Sequence, residues 1–406
     1  MNMERMPPRT RSPSGPWTSS VSRRQVLLAG AAGAGAAILR PAASFGVATE
    51  PVGLHRFVRD LMTAGKLPGL SAAIVRNGDV AWAHGWGSAN IRAGTPVARD
   101  TLFMLASVSK TLIATAVLQA VEGGLFALDT DVNDVLPFAV RNPGYADQPI
   151  TIRQLMTHTS SIRDNWTVLT GVYVLGDARM GLGRFLRRYL TPGGVDFAAR
   201  NYYGFGPGRS YRYANIGAAL AAYVVEAASG IRFDVWCEAN VFEPLGMTRA
   251  GWHLAGLPRA DIARPYRWSP STGFLSAGLY GYPDYPDGAL RTTAAQLARH
   301  LAMVMNGGTF RGTRVLSAAS VRELRRDQVP DLEPAQGLIW FGLPRDGRQL
   351  FGHDGGDDGV ATVCFFDPET EVGVVALANC DWRTVKGDYA LYRIMDRLFD
   401  EAPRLG

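Results

Sequence analysis

Beyond residue 50 the apolar positions of this chain fall into two alternating patterns, and the switch between them outlines its organisation. From Val52 to Ala64 the residues Leu54, Phe57, Val58, Leu61 and Met62 recur at helical spacing, which predicts a first helix with one buried face. Ser71 to Val75 and Val80 to Gly85 are instead short continuous apolar runs joined by Arg76-Asn77-Gly78-Asp79. Asn-Gly between two such runs predicts an antiparallel hairpin, because both residues accept the positive φ of a tight turn. A further short strand is expected over Thr101 to Leu105, then a helix rich in Leu, Ala and Val over Ser109 to Glu122.

The middle of the chain turns helical. Thr151 to His158, Leu182 to Leu190, Asn215 to Ser229 and Phe233 to Phe242 carry helical rather than alternating patterns, separated by Pro- and Gly-rich loops, and Thr292 to Met305 adds an amphipathic helix. Strand patterns return at Leu338 to Leu343, Gln349 to Gly352, Val360 to Phe366 and Val372 to Ala378, with Asp367-Pro368-Glu369-Thr370 as a hairpin turn, before a terminal helix over Asp388 to Phe399. Strands at both ends around a helical middle predict one sheet assembled from distant parts of the sequence. The expected fold class is α+β (mixed α/β), an antiparallel sheet flanked by helices plus an all-α subdomain. The sheet part is expected at about 49–105 and 290–406, and the helical part at about 106–289.

Composition narrows the class. A 47% hydrophobic, 10% aromatic and 19% charged chain of 406 residues is globular rather than disordered. Its net charge of +6 resembles that of a nucleic-acid binder, but residues 1–50 hold six arginines and two glutamates, and the remaining 356 residues carry only +2. A basic binding face is therefore not expected, and nucleic acid is excluded as a partner. The basic start reads as a twin-arginine signal peptide over 1–48: Ser22-Arg23-Arg24-Gln25-Val26-Leu27 precedes a weakly apolar Ala/Gly run to Leu39, and Gly46-Val47-Ala48 offers a small-residue cleavage site. That run is too short and too weakly apolar to span a bilayer. The mature protein, residues 49–406, is expected to be exported to the periplasm or outside the cell, with no stable membrane anchor. Cys237, Cys364 and Cys380 have no Cys-x-x-Cys spacing, allow one disulfide at most, and read as small buried apolar residues. Six scattered histidines form no ligand set, so no metal is expected.

Lysine is scarce and this directs attention to chemistry. Only Lys66, Lys110 and Lys386 stand against 39 arginines, and Lys110 lies three residues after a serine in Ser107-Val-Ser-Lys110. A desolvated lysine can give up its proton where arginine cannot, so it can serve a serine nucleophile one helical turn away. A serine at a helix start also has unpaired backbone N–H groups nearby to receive an oxyanion. Tyr213-Ala-Asn215, at the entry to an apolar helix, offers a tyrosinate as general base and an amide to position a carbonyl. Alone it reads equally as a capping asparagine beside a buried tyrosine. His353-Asp354-Gly355-Gly356 permits close backbone approach and an oxyanion-binding N–H, and alone it reads as a turn.

In this order the three elements resemble the Ser-x-x-Lys, Tyr-x-Asn and Lys/His-x-Gly motifs of the serine hydrolases that comprise class C β-lactamases, penicillin-binding proteins and family VIII esterases. Flanking segments such as Leu155-Met-Thr-His-Thr-Ser160 and Phe242-Glu-Pro-Leu-Gly-Met247 extend the resemblance over roughly Pro68 to Asn379. The resemblance implies that Ser107 is the acylated nucleophile, Lys110 and Tyr213 the proton-transfer pair, and Asn215 a positioning group. It implies an oxyanion hole from the N–H groups of Ser107 and Gly356. His353 stands where many β-lactamases carry lysine, which looks more like esterases and D-amino-acid peptidases. Gly355 and Trp166 are expected to touch substrate, Trp166 from the long connection Ser161 to Gly204, whose aromatic residues otherwise pack the helical part. His158 reads as structural, and Asp357 and Asp358 read as a solvated turn, with contact to a cationic substrate as the alternative. The implied reaction is cleavage of a small-molecule ester, amide or peptide without cofactor. Open alternatives are β-lactam or D-Ala-D-Ala cleavage, or a penicillin-binding sensor that never turns over.

Overall fold

The computed structural model describes residues 53–405; the twin-arginine segment lies outside the described residues. The first helix, α1 (Leu54–Gly65), leads into strands β1 (Gly69–Arg76), β2 (Asp79–Asn90) and β3 (Thr95–Pro96). The next long helix is α2 (Lys110–Glu122), with α3 (Asn215–Ser229) and α4 (Ala294–Met305) further along the chain. Strands β4 (Phe341–Arg345), β5 (Arg348–Asp357), β6 (Val360–Asp367) and β7 (Val372–Ala378) precede the last helix, α5 (Ala390–Glu401).

The seven strands make one antiparallel sheet in the order β4-β5-β6-β7-β1-β2-β3, so strands from the two ends of the sequence meet where Leu70 pairs with Ala378 and Ile74 with Val374. The β1–β2 turn has Asn77 at φ 52° and Gly78 at φ 76°, the geometry its Asn-Gly sequence specifies. Every residue of β6 and β7 is buried because both faces of the sheet are covered. On one face Ile74, Val363, Phe365, Val374 and Ala376 join Leu54, Val58, Ile394 and Leu398 of α1 and α5 in a core cluster. On the other, α4 approaches so closely that a Cβ on Gly373 would lie 2.8 Å from Leu301 and Met305 side-chain atoms.

Some elements begin or end elsewhere than the apolar pattern predicts. The strand expected over Leu338 to Leu343 starts at Phe341, because Ile339 sits at φ 68° and cannot be extended. Leu338, Ile339 and Trp340 are instead a fully buried loop, held by Ile339 N–H donating to Met156 O at 2.7 Å. The strand expected over Gln349 to Gly352 continues to Asp357, so His353 lies mid-strand opposite Cys364 rather than in a turn. Thr101 to Leu105 shortens to Phe103–Met104, paired with Arg291–Thr292 in a small separate sheet. The helix from Phe233 is α-helical only to Cys237 and then opens into a π-helical turn, Glu238–Phe242. All three cysteines are buried free thiols, and burial pushes the pKa of each upward. Among the described residues no single helix is long and apolar enough to cross a membrane.

Candidate active site

Ser107 lies in a 3₁₀ turn, Ala106–Ser109, that feeds directly into α2. The residue before it, Ala106, is held at φ 48°, a left-handed conformation that costs a non-glycine residue about 1 kcal/mol or more. Neighbours pin that conformation: Leu105 N–H donates to Leu290 O at 2.8 Å, and the Thr362 hydroxyl donates to Leu105 O at 2.7 Å. Lys110, the first residue of α2, is fully buried and donates from Nζ to Ser107 Oγ at 3.0 Å and to Asp287 O at 2.7 Å. The same ammonium stands 5.2 Å from the centroid of the Tyr213 ring.

Burial alone would lower the Lys110 pKa, but the Tyr213 oxygen and the Asp287 carboxylate outweigh it and hold the ammonium above its ordinary value. Desolvation likewise raises the Tyr213 phenol, against the pull of Lys110, although 37% of the tyrosine's surface is open. The resting pair is therefore ammonium and phenol. Asn215 is the first residue of α3; its N–H and Nδ2 donate to Asp164 Oδ2 at 2.9 and 2.8 Å, and Ile216 N–H donates to Asp164 Oδ1 at 3.1 Å. Asp164 thus caps α3 from a distant loop and fixes the Asn215 amide.

These groups open on one cleft of about 630 Å³, whose wall includes Ser107, Tyr213, Asn215, Gly356 and Trp166. Lys110, Gly355 and His353 stand behind that wall rather than in it. A Cβ on Gly355 would fall 2.9 Å from Ser107 N and 2.7 Å from Leu105 O, so the absent side chain lets β5 lie against the nucleophile turn. His353 is buried, its ring centroid 6.2 Å from that of Tyr213, and desolvation lowers its pKa to about 4, leaving a neutral imidazole. His158 packs its ring 4.4 Å from the same tyrosine and is also neutral, for the same reason.

The family model described as Beta-lactamase matches residues 54–399. The chain belongs to the beta-lactamase family. Its relatives include penicillin-binding protein 4 of Amycolatopsis lactamdurans, 31% identical over 79% of this chain and 82% of that one. Esterase EstB of Burkholderia gladioli is 35% identical over 50% of each chain, and the D-aminopeptidase of Brucella anthropi is 30% identical over 55% of this chain and 40% of its own. Among solved structures, the penicillin-binding protein from Bacillus halodurans superposes with a TM-score of 0.69 at 26% identity, covering 86% of this chain and 99% of that one. Family and relatives together mark this beta-lactamase family member as a serine hydrolase.

Four carboxylates of this beta-lactamase family member also line the cleft: Asp164, from the long connection Ser161 to Gly204, Asp357, and two that motif reading did not place, Asp284 and Asp287. Asp357 is not the solvated turn its Gly/Asp-rich surroundings suggest, because Tyr173 and Tyr282 donate their hydroxyls to it at 3.2 and 3.0 Å. Asp358 pairs with Arg267 at the surface. The one sequence signal for the other acids is Asp284-x-x-Asp287, two carboxylates inside the largely apolar segment Tyr280 to Leu290. Among the described residues no group of three or more His, Cys, Asp or Glu could hold a metal ion.

Proposed function

We propose that the chain cleaves a small-molecule ester or amide through a Ser107 acyl-enzyme, as an esterase or D-amino-acid peptidase. The observation that carries this reading is the 3.0 Å hydrogen bond from Lys110 Nζ to Ser107 Oγ at the floor of the cleft. In this reading the Lys110–Tyr213 pair, after losing one proton, takes the proton of Ser107 as Oγ attacks the carbonyl carbon. The backbone N–H groups of Ser107 and Gly356 receive the oxyanion. The pair returns the proton to the departing alkoxide or amine, and a water activated by the same pair hydrolyses the ester to Ser107 and releases the acid. Trp166 and Asn215 shape and position the substrate, Gly355 lets β5 lie against the nucleophile turn, and His353 supports Tyr213 from behind.

The neutral His353 leaves the cleft without a cation at the position where many β-lactamases carry lysine, which favours the esterase or peptidase reading over β-lactam cleavage. The test sets mature wild type and Ser107→Ala against short-chain p-nitrophenyl esters, a chromogenic cephalosporin and a D-Ala-D-Ala peptide, following product and intact mass. Turnover of the esters, lost in Ser107→Ala, is the expected result. Full activity in Ser107→Ala removes Ser107 as nucleophile, and a one-to-one adduct without turnover replaces the hydrolase with a sensor.

The export reading is part of the same proposal, since the substrate would then be met outside the cytoplasm. Replacing Arg23 and Arg24 by lysine is expected to retain the protein in the cell; unchanged export would refute the twin-arginine route.

A further inference from the structure

The oxyanion hole proposed for the N–H groups of Ser107 and Gly356 has two sides, and each is held by a side chain that is not part of the cleft wall. On the Ser107 side Thr362 donates its hydroxyl to Leu105 O at 2.7 Å. A hydroxyl has one proton, and Gly355 O, directly across the strand pair, lies 3.5 Å from the same oxygen. On the Gly356 side the donor is Trp382, just beyond the end of β7. Its indole N–H donates to Gly355 O at 3.0 Å. Only a glycine leaves room for that ring, since a Cβ on Gly356 would lie 2.8 Å from Trp382 Nε1 and 2.9 Å from its Cδ1.

Gly355 O and Gly356 N–H belong to one peptide unit. In a planar trans peptide the C=O and N–H point in opposite directions, so an N–H that faces the cleft turns its carbonyl away from it, and there the indole meets it. A donor on the carbonyl fixes the plane of the peptide. It also draws electron density toward the oxygen, which makes the N–H a better donor when negative charge arrives on the other side. The indole is itself fixed. Its ring lies 5.1 Å from those of Tyr389 and Tyr392, and Tyr392 donates its hydroxyl to Asp354 Oδ2, so one aromatic group holds two consecutive residues of β5.

We propose that Trp382 is a positioning residue for the oxyanion hole: its indole N–H orients and polarises the Gly355–Gly356 peptide, strengthening the Gly356 N–H as the acyl carbonyl becomes an oxyanion. The proposal rests on the Ser107 acyl-enzyme reading and adds to it a residue outside the cleft and outside the three motifs. Polarisation of the peptide matters most when charge develops on the substrate oxygen. It therefore acts on the transition state and leaves binding of a neutral ester almost untouched.

The test removes the N–H in two ways. Trp382→Phe deletes the donor, and replacement of Trp382 by benzothienylalanine, which carries sulfur where the indole has N–H, deletes it with the ring shape kept. Both proteins are assayed with p-nitrophenyl acetate and titrated with phenylboronic acid. In the boronic acid adduct Ser107 Oγ bonds to boron, its proton passes to the Lys110–Tyr213 pair, and a boronate oxygen occupies the oxyanion hole. Acylation and deacylation both use the hole, so kcat is expected to fall roughly three- to tenfold with KM nearly constant, the span of one weakened hydrogen bond. Loss of an oxyanion donor outright would lower kcat by about a hundred- to a thousandfold. Affinity for the boronic acid is expected to fall by the same factor as kcat. If wild type acylates without turnover, the rate of adduct formation read by intact mass takes the place of kcat. A loss in Trp382→Phe that is absent from the benzothienylalanine protein makes Trp382 a packing residue and overturns the proposal. So does a raised KM with kcat unchanged. Ser107→Ala separates the two readings: activity lost there, with kcat unchanged in both Trp382 proteins, overturns this proposal alone, whereas full activity in Ser107→Ala overturns both.

Discussion

Proton count decides what the site residues can do at a given pH. Lys110 and Tyr213 both have raised pKa values, so at neutral pH most molecules hold ammonium and phenol, and the form able to accept the Ser107 proton is the minority. That minority grows as pH rises. The kcat/KM of a neutral ester is therefore expected to climb about tenfold per pH unit until the pair's apparent pKa is reached, and a profile flat from pH 6 to 9 would assign the base elsewhere. Lys110→Arg keeps the charge but cannot cycle the proton, and should lower kcat by about a hundredfold or more. Asp284 titrates with the opposite consequence for the fold. Its native pKa of about 7 lies above its unfolded value, so it contributes stability at acid pH that is lost as pH rises through 7. Asp284→Asn is thus expected to raise Tm at pH 8 and to leave it nearly unchanged at pH 4. A lower Tm at both pH values would mean that the carboxyl is a structural hydrogen-bonding partner. Ser107 and Lys110 were legible because their spacing is local. Asp284 and Asp287 were not, because what distinguishes them is their shared burial beside Lys110, a property only tertiary packing creates.

Among the elements, continuous apolar runs announced β6 and β7, which are covered on both faces, whereas Leu338 to Trp340 looked like a strand and became a buried loop. Apolarity reports burial there, not extension, and the φ of Ile339 decides between them. The start of α3 shows the same limit. Sequence placed Asn215 at a helix entry, but its cap is Asp164, fifty-one residues earlier in the chain. No local side chain caps α3: Ala214, at its N-cap position, makes no such bond. Asp164→Ala removes three hydrogen bonds, and is expected to destabilise the protein by about 1–2 kcal/mol in denaturant titration while lowering kcat, because Asn215 loses its anchor. Unchanged kcat with the stability loss would confine Asp164 to capping.

At the scale of the molecule, the sheet encloses thiols as well as aliphatic side chains. Cys364 lies in β6 and Cys380 just beyond β7, while Cys237 belongs to the helices packed near α2, and all three are buried and unpaired. Their raised pKa values and lack of access predict that none reacts with a thiol reagent in the native state and that all three react in denaturant; a fast-reacting native thiol would contradict this packing. The predicted sheet from both chain ends was legible because its strands are strongly apolar, while its closing pair could not be read from either end alone. That closure has a temporal side. The β1 edge that pairs with Val372–Ala378 leaves the ribosome almost 300 residues before its partner is made. At ordinary translation speeds the delay is roughly 15–60 s. Throughout that interval an apolar strand edge has no native neighbour, so a nascent chain halted before β7 should be a client for chaperones and a seed for aggregation, however stable the finished enzyme is.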